Sequence, residues 1–472
     1  MRWRSKSAVV VAATISGATL LTPRALADTL ESALIFAYMN NPQLNSQRAL
    51  VRATDENVPT ALAGYRPRAS ITANVGFQSL SSKIKEIGST TPLNAPASYF
   101  TQSGTNTPHG VGATVTQTLL NGFQTSNRTR LAESQVFAAR ETLRNIEQTV
   151  LLNAATAYMN LLRDAGILEL QRSNLDVLTE QLRQTKLRLE SGNVTATDVS
   201  QAEARLATGR TQVFVAEANY QSSRAVYRQV IGIEPGKLAP AAPVDRFSPH
   251  NLPEALAVAT AQHPNVSTAQ HNVDIAVLQV KIAEGALYPT LTLQGSVQRN
   301  SETTLTAMQN FNAVVAGQLS IPVYQGGAEF AAIRQAKETQ GQRQLDLNVA
   351  RDQVRMNASQ AWAQLDAAKS SIDSTRKQVA AAEAALNGVR EEARLGQRTT
   401  LDVLNAQQEL VSARVAMVSA QRDRLVNSYS LLASVGRLSP AVLGLNVPSY
   451  DPMVHYQQIR DAWVGVRTPD GR

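Results

Sequence analysis

The stretch Leu189–Arg205, LESGNVTATDVSQAEAR, is nearly repeated at Ala393–Glu409, ARLGQRTTLDVLNAQQE. Gly192 matches Gly396, Thr195 matches Thr399, Asp198 matches Asp402 and Val199 matches Val403. A glycine just past a helix end tolerates the left-handed conformation that stops the helix. A threonine a few residues later is a good N-cap for the next one. An aspartate in the following first turn lies at the positive end of the helix dipole. Each copy therefore reads as the tip of a helical hairpin.

The flanking tracts support that reading. No proline occurs between Pro108 and Pro235, or between Pro322 and Pro440, and both gaps are rich in Ala, Gln, Arg, Leu and Glu. Helix interiors exclude proline because it lacks the N–H and clashes with the preceding turn. In the first gap Leu143, Ile146, Val150, Ala154, Ala157, Leu161, Ala165 and Leu168 step by three or four, a coiled-coil-like stripe. A single helix over Thr125–Ser191 is a rod of roughly 100 Å at 1.5 Å per residue.

Outward from the tips, the second half repeats the first. Leu30–Leu34 followed by Asn41-Pro42 matches Leu252–Leu256 followed by His263-Pro264, and Tyr65-Arg66-Pro67 matches Leu287-Tyr288-Pro289, an offset of 222. Further on, Leu120-Asn121-Gly122 matches Tyr324-Gln325-Gly326, Tyr158 matches Trp362, and Ile231-Gly232 matches Val435-Gly436, an offset of 204. The first copy thus carries about 18 extra residues (222 − 204), and its Ser/Thr/Asn/Pro-rich run Ser79–Pro108 is expected to be a long exposed loop. The organisation expected is residues 28–240 as the first repeat, 241–436 as the second and 437–472 as a C-terminal tail.

Between the helices the period changes to two. Ala69, Ile71, Ala73, Val75 and Phe77 alternate with Ser70, Thr72, Asn74, Gly76 and Gln78. Comparable alternation around Val111–Thr116, Leu291–Gln298 and Val315–Ile321 predicts strand pairs at about 68–79 with 109–118 and 290–299 with 312–321. Strands of about nine residues suffice to cross a bilayer when tilted. The polar faces are Ser, Thr, Asn and Gln rather than charges. Four strands cannot close an aqueous barrel, since outer-membrane barrels start at about eight, and open edges are not tolerated in lipid. Strands that span a membrane here must share a barrel with other chains.

Composition excludes several classes. The chain of 472 residues has no cysteine, so disulfides, thiolate metal sites and an N-terminal lipidated cysteine are ruled out. His109, His250, His263, His271 and His455 are scattered, with no i, i+4 pair, so no metal centre or cofactor is expected. Residues 1–27 resemble a secretory signal: a basic start, the apolar run Ala8–Leu21, and Ala25-Leu26-Ala27 before Asp28. Of the formal charge of +8, Arg2, Arg4, Lys6 and Arg24 lie in that segment, leaving about +4, too little to argue for nucleic acid. No phosphate-loop motif or triad-like cluster is present, so no catalytic residue is assigned. The competing reading is a periplasmic coiled-coil adaptor or structural protein without a barrel.

The ordered set of features, occurring twice, resembles the TolC family of outer-membrane export ducts. It is carried by Pro67 and Pro289, the helix starts after Leu120–Phe123 and Val323–Gly327, and the two Gly-Thr-Asp tips. The tail, Tyr450-Asp-Pro through Trp463 to Thr468–Arg472, is similar to the alphaproteobacterial type I secretion branch. The resemblance implies an α+β membrane protein and a homotrimer. Four strands per chain would make one twelve-stranded barrel, continued by an α-helical tunnel through the periplasm. Segments near Leu30–Asn41, Ile233–Pro264 and Pro440–Tyr456 would form a mixed α/β belt. Such a duct performs no chemistry. It works with a periplasmic adaptor, an inner-membrane transporter and outer-membrane lipid, carrying drugs or protein.

The resemblance also assigns roles at the tips. Asp402 falls on the family's periplasmic constriction, where three carboxylates around one axis would attract cations and oppose anions. The family's second aspartate is replaced here by Asn405, leaving one charged ring. A latch between hairpins falls on Arg398 with Thr197 and Asp198, while the family's tyrosine partner is Ala393 here. The turns at Gly192 and Gly396 are the expected docking end for an adaptor. Tyr158 and Trp362 are expected to pack in the tunnel wall.

Overall fold

The structure, a computed structural model, describes residues 29–85, 99–192, 194–303, 309–469 and 471. The signal-like segment 1–27 lies outside them. Helices α1 (Leu30–Asn40), α2 (Pro42–Asp55) and α3 (Asn57–Leu62) lead to strands β1 (Arg68–Val75), β2 (Gln78–Lys85), β3 (Tyr99–Asn106) and β4 (His109–Asn121). The first hairpin is α4 (Gln124–Glu190) with α5 (Ala196–Ile231). Helices α6 (Leu252–Gln262) and α7 (Pro264–Gly285) then precede β5 (Thr290–Ser301) and β6 (Gln309–Ser320). The second hairpin is α8 (Ala328–Arg394) with α9 (Thr400–Ser434), followed by short helices α10 (Pro440–Leu443) and α11 (Pro452–Ile459). Both α4 and α8 have 67 residues, rods of about 100 Å.

The sheet is antiparallel, in the order β1-β4-β5-β6. Its register repeats with the sequence. Arg68 pairs with Thr116 in the first repeat. The residues 222 and 204 positions further on, Thr290 and Ser320, pair in the second. The repeats are joined through β4 and β5, where Thr116 faces Gln294. Both edges, β1 and β6, have no strand partner on their outer side among the described residues. Ile71, Val75 and Val315 lie open on the surface of the single chain.

The run Ser79–Pro108 departs from the expected loop. Strands β2 and β3 form a second two-stranded sheet, whose register, Gln78 with Asn106, continues that of β1 with β4, Val75 with His109. Pro108 has no N–H for the ladder, so the ribbon is interrupted there. Its carbonyl still accepts from Gly76 N at 2.8 Å. The insertion is therefore a hairpin extension beyond the four-stranded sheet.

Where the strands enter the helices, Gly122 and Gly285 cross at close quarters. Gly122 has φ +60°, and a Cβ on Gly285 would sit 2.6 Å from the Gly122 carbonyl oxygen. Only glycine permits both the left-handed turn and this backbone approach. The contact locks the β4–α4 joint of one repeat onto the end of α7 in the other.

The main core lies at the belt, not along the rods. Leu34, Tyr38, Leu44, Leu151, Tyr158, Tyr227, Ile231 and Leu432 form one buried cluster between α1, α2, α4, α5 and α9. Tyr158 is completely buried. Its hydroxyl donates to Ala239 O at 2.6 Å and accepts from Ala239 N at 3.0 Å. It therefore fastens the belt segment to the tunnel helix instead of merely lining a wall. Trp362 is partly buried against the cluster of Ala255, Ala259, Val354 and Ala358. The belt segments contain short helices and loops, with no full strand among the described residues and an isolated β-bridge at Leu238.

Equivalent caps start the two belt helices. Asn41 Oδ1 accepts from Gln43 N at 2.9 Å and Leu44 N at 3.3 Å. In the second repeat the His263 side chain does this, accepting from Asn265 N at 3.1 Å through Nδ1. Burial, with Arg144 nearby, pushes the His263 pKa down to about 4, so the neutral, accepting ring is the folded form at neutral pH. Because this folded pKa lies below the ordinary 6.5, the stability it supports is complete above pH 6.5 and is lost as pH falls towards 4. His263→Asn restores the residue of the first repeat and keeps the cap. It should flatten the pH dependence of the melting temperature between pH 6.5 and 4 while leaving the value at pH 7.5 within a few degrees.

Candidate functional site

At the first tip α4 ends at Glu190 with Ser191 as its C-cap, and Gly192 turns the chain with φ +73°. Thr195 then caps α5. Its N–H donates to Asp198 Oδ2 at 2.9 Å, and Asp198 N donates to Thr195 Oγ1 at 3.3 Å. The second tip has the same construction. Gly396 has φ +77°, Thr399 N donates to Asp402 Oδ2 at 3.0 Å, and Asp402 N donates to Thr399 Oγ1 at 3.2 Å. These are reciprocal capping boxes with aspartate in the acidic position. The threonine backbone N–H, then its hydroxyl, holds each carboxyl below the usual aspartate range. Both tips thus carry a fixed negative charge at neutral pH.

The expected latch is arranged differently. Arg398 Nε donates to Glu392 Oε2 at 2.9 Å, within its own hairpin. Glu392 first, then Asp402, raises the Arg398 pKa. Thr197 is exposed, and Asp198 spends its carboxylate on Thr195. Within the single chain Arg398 thus pairs with an acid at the end of the helix preceding its own turn, not with Thr197 or Asp198.

Other residues join the hairpins. Arg205 Nη2 on α5 donates to Asn405 Oδ1 on α9 at 2.9 Å. Deeper in, Gln407 Nε2 donates to Asn174 Oδ1 at 3.2 Å, and its own Oε1 accepts from Arg390 Nη2 at 3.0 Å. Asn174 and Gln407 are buried. Leu178, Ala202, Leu206 and Leu404 pack beside them. Asn405, a missing charge by resemblance, is thus an acceptor for an arginine. Nothing local in the sequence marks Arg205 for this part. Its only signal is its place beside the buried stripe residue Leu206.

Among the described residues no helix is long and apolar enough to cross a membrane, and no group of three or more His, Cys, Asp or Glu is placed to hold a metal. An open four-stranded sheet at one end of paired 67-residue rods, with charged turns at the far ends, is a stave-like architecture with both sheet edges left open.

The chain belongs to the outer membrane efflux protein family, whose model matches residues 37–232 and 255–437. It is 42% identical to the outer membrane efflux protein BepC of Brucella suis biovar 1 (strain 1330), over 99% of this chain and 98% of that protein. It is 27% identical to the outer membrane protein TolC of Escherichia coli (strain K12), over 65% of each. Among solved structures it resembles the Campylobacter jejuni CmeC outer membrane channel with a TM-score of 0.73 at 15% identity, covering 92% of this chain and 89% of that one. The protein is an outer-membrane channel of the efflux and secretion class, with its strands in the outer membrane and its helices forming the periplasmic tunnel. The relatives it matches are channel proteins, not enzymes.

Proposed function

We propose that three copies of this chain close one twelve-stranded barrel and form a passive, gated duct. It would receive drugs or protein from an inner-membrane pump through a periplasmic adaptor seated at the tips around Gly192 and Gly396. The observation that carries this reading is the pair of open edges on a sheet whose register obeys the repeat. Inside the chain, β4 meets β5 with Thr116 opposite Gln294. Shifting those positions by 204 and 222 puts Ser320 on β6 opposite Thr72 on β1 of the next copy. The apolar faces then stay matched, with Leu319 opposite Ala73. Cross-strand Cα separations of about 4.5–5.5 Å fall within disulfide range. The double variant Thr72→Cys with Ser320→Cys should form covalent trimers on oxidation, and neither single variant should. Heat-stable oligomers that stay uncrosslinked would sink the register.

The second-repeat tip supplies the gate in this reading. Three Asp402 carboxylates around the axis favour cations, and Asn405 leaves them as a single ring. Asp402→Asn keeps a cap acceptor but removes the charge. In a salt gradient across planar bilayers, its reversal potential should move close to zero from a cation-selective starting value.

The closed state rests on the tie between hairpins rather than on Arg398 alone. Arg205→Ser, which frees α9 from α5, should raise single-channel conductance. Arg398→Ser, which breaks a bond within one hairpin, should raise it less. The reverse order would restore the latch at Arg398 to first place.

A further inference from the structure

The C-terminal tail is held in an unexpected place. Helix α11 packs against α2, where His455 Nδ1 lies 3.1 Å from Asp55 Oδ2 and the Asp55 side chain is fully buried. Arg140 closes the cluster from α4, with Nη2 3.8 Å from Asp55 Oδ1 and its guanidinium 5.2 Å from the Tyr456 ring centre. The His455–Asp55 contact and the Arg140 guanidinium on the Tyr456 ring thus tie α11 to α2 and α4. The chain then runs to the foot of the sheet. Arg66, two residues before β1, donates through Nη1 to Ala462 O at 2.6 Å. Its guanidinium stacks 4.6 Å from the Trp463 ring centre.

Beyond Ala462 the tail is exposed and apolar. Trp463 is 68% exposed, Val464 94% and Val466 100%. Tyr65, Tyr288 and Tyr324, at the joints between strands and helices, are exposed as well. The flanking charges are mainly basic, with Arg66, Arg68, Arg460 and Arg467 against Asp461. Tryptophan and tyrosine prefer the level of lipid headgroups, where an apolar ring meets a wet edge. Guanidinium groups suit phosphodiesters in the same zone.

We propose that Ala462–Arg467 is an interfacial anchor, inserted among the phospholipid headgroups of the periplasmic leaflet of the outer membrane. It extends the barrel's lipid-facing band outward from the strand ends. Continuity with that band and the basic flank select phospholipid as the occupant. The inference rests on the membrane placement of the sheet, so its test must separate the two.

The absence of native cysteine makes this direct. Val464→Cys, labelled with an environment-sensitive NBD fluorophore, is reconstituted as the full-length oligomer in phosphatidylethanolamine–phosphatidylglycerol vesicles with or without brominated acyl chains. Val315→Cys on the apolar face of β6 and Gln397→Cys at the tip serve as lipid and water references. The Val464 label should lose at least half its emission in brominated vesicles, as the Val315 label does, while the Gln397 label is unchanged. A Val464 label insensitive to bromine beside a quenched Val315 label overturns the anchor and leaves the barrel standing. Insensitivity at Val464 together with shielding from aqueous iodide assigns the tail to a neighbouring subunit and also overturns it. An unquenched Val315 label overturns the membrane placement on which both depend.

Discussion

Everything in this molecule depends on the fact that four strands cannot satisfy their backbone in lipid. Each unpaired N–H or C=O in hydrocarbon costs several kcal/mol, and β1 and β6 each present a full row. The chain escapes this by being a repeat. A contact that joins its two halves, β4 on β5, can be made again between one copy and the next. In the proposed trimer, tandem duplication thus supplies the interface for closure. The long rods follow the same logic, since α4 and α8 are equal in length and can stand side by side as equivalent staves.

The repeats are not identical, and the differences fall where one chain needs asymmetry. Gly122 meets Gly285 within the chain. Gly326, its counterpart, has φ +73° and open space around it. The first repeat carries the β2–β3 extension; in the second, Glu302 Oε2 accepts from Thr107 N at 3.1 Å, bracing that extension against the end of β5. Asn41 caps one belt helix and a buried neutral histidine caps the other. Substitutions of this kind preserve local geometry while making the second repeat sensitive to acid.

Period and punctuation make most of the fold legible in the sequence. Proline gaps mark the rods, alternation marks the strands, and the Gly-Thr-Asp spacing marks turns that are indeed capping boxes at Thr195 and Thr399. These are local signals, and local signals survive in a single sequence. The Ser79–Pro108 run reads as a loop because its Ser, Thr and Asn content suits a loop as well as an exposed ribbon, and only pairing distinguishes them. The links between hairpins are illegible for a different reason. Arg205 and Asn405 are 200 residues apart, and which faces of two helices meet is decided by the whole bundle. Resemblance places Arg398 in a latch, and in the single chain it is Glu392, one turn before the tip, that pairs with it.

The distribution of contacts also sets where the duct can move. At the belt, Tyr158, Tyr227 and the leucines around them are fully buried, and truncating one such residue typically costs about 2–5 kcal/mol. At the tips the two hairpins are tied by an exposed hydrogen bond from Arg205 to Asn405 and by the small cluster in which Leu404 packs on Leu178, Ala202 and Leu206. A docking partner that offers a few compensating contacts can therefore splay the tips while the belt and barrel stay closed. The buried Asn174–Gln407 pair, which Arg390 reaches from the exposed side of α8, lies between these regimes. Separating its polar atoms without water would leave them unpaired, so in the proposed gating it would resist parting more than the tips do.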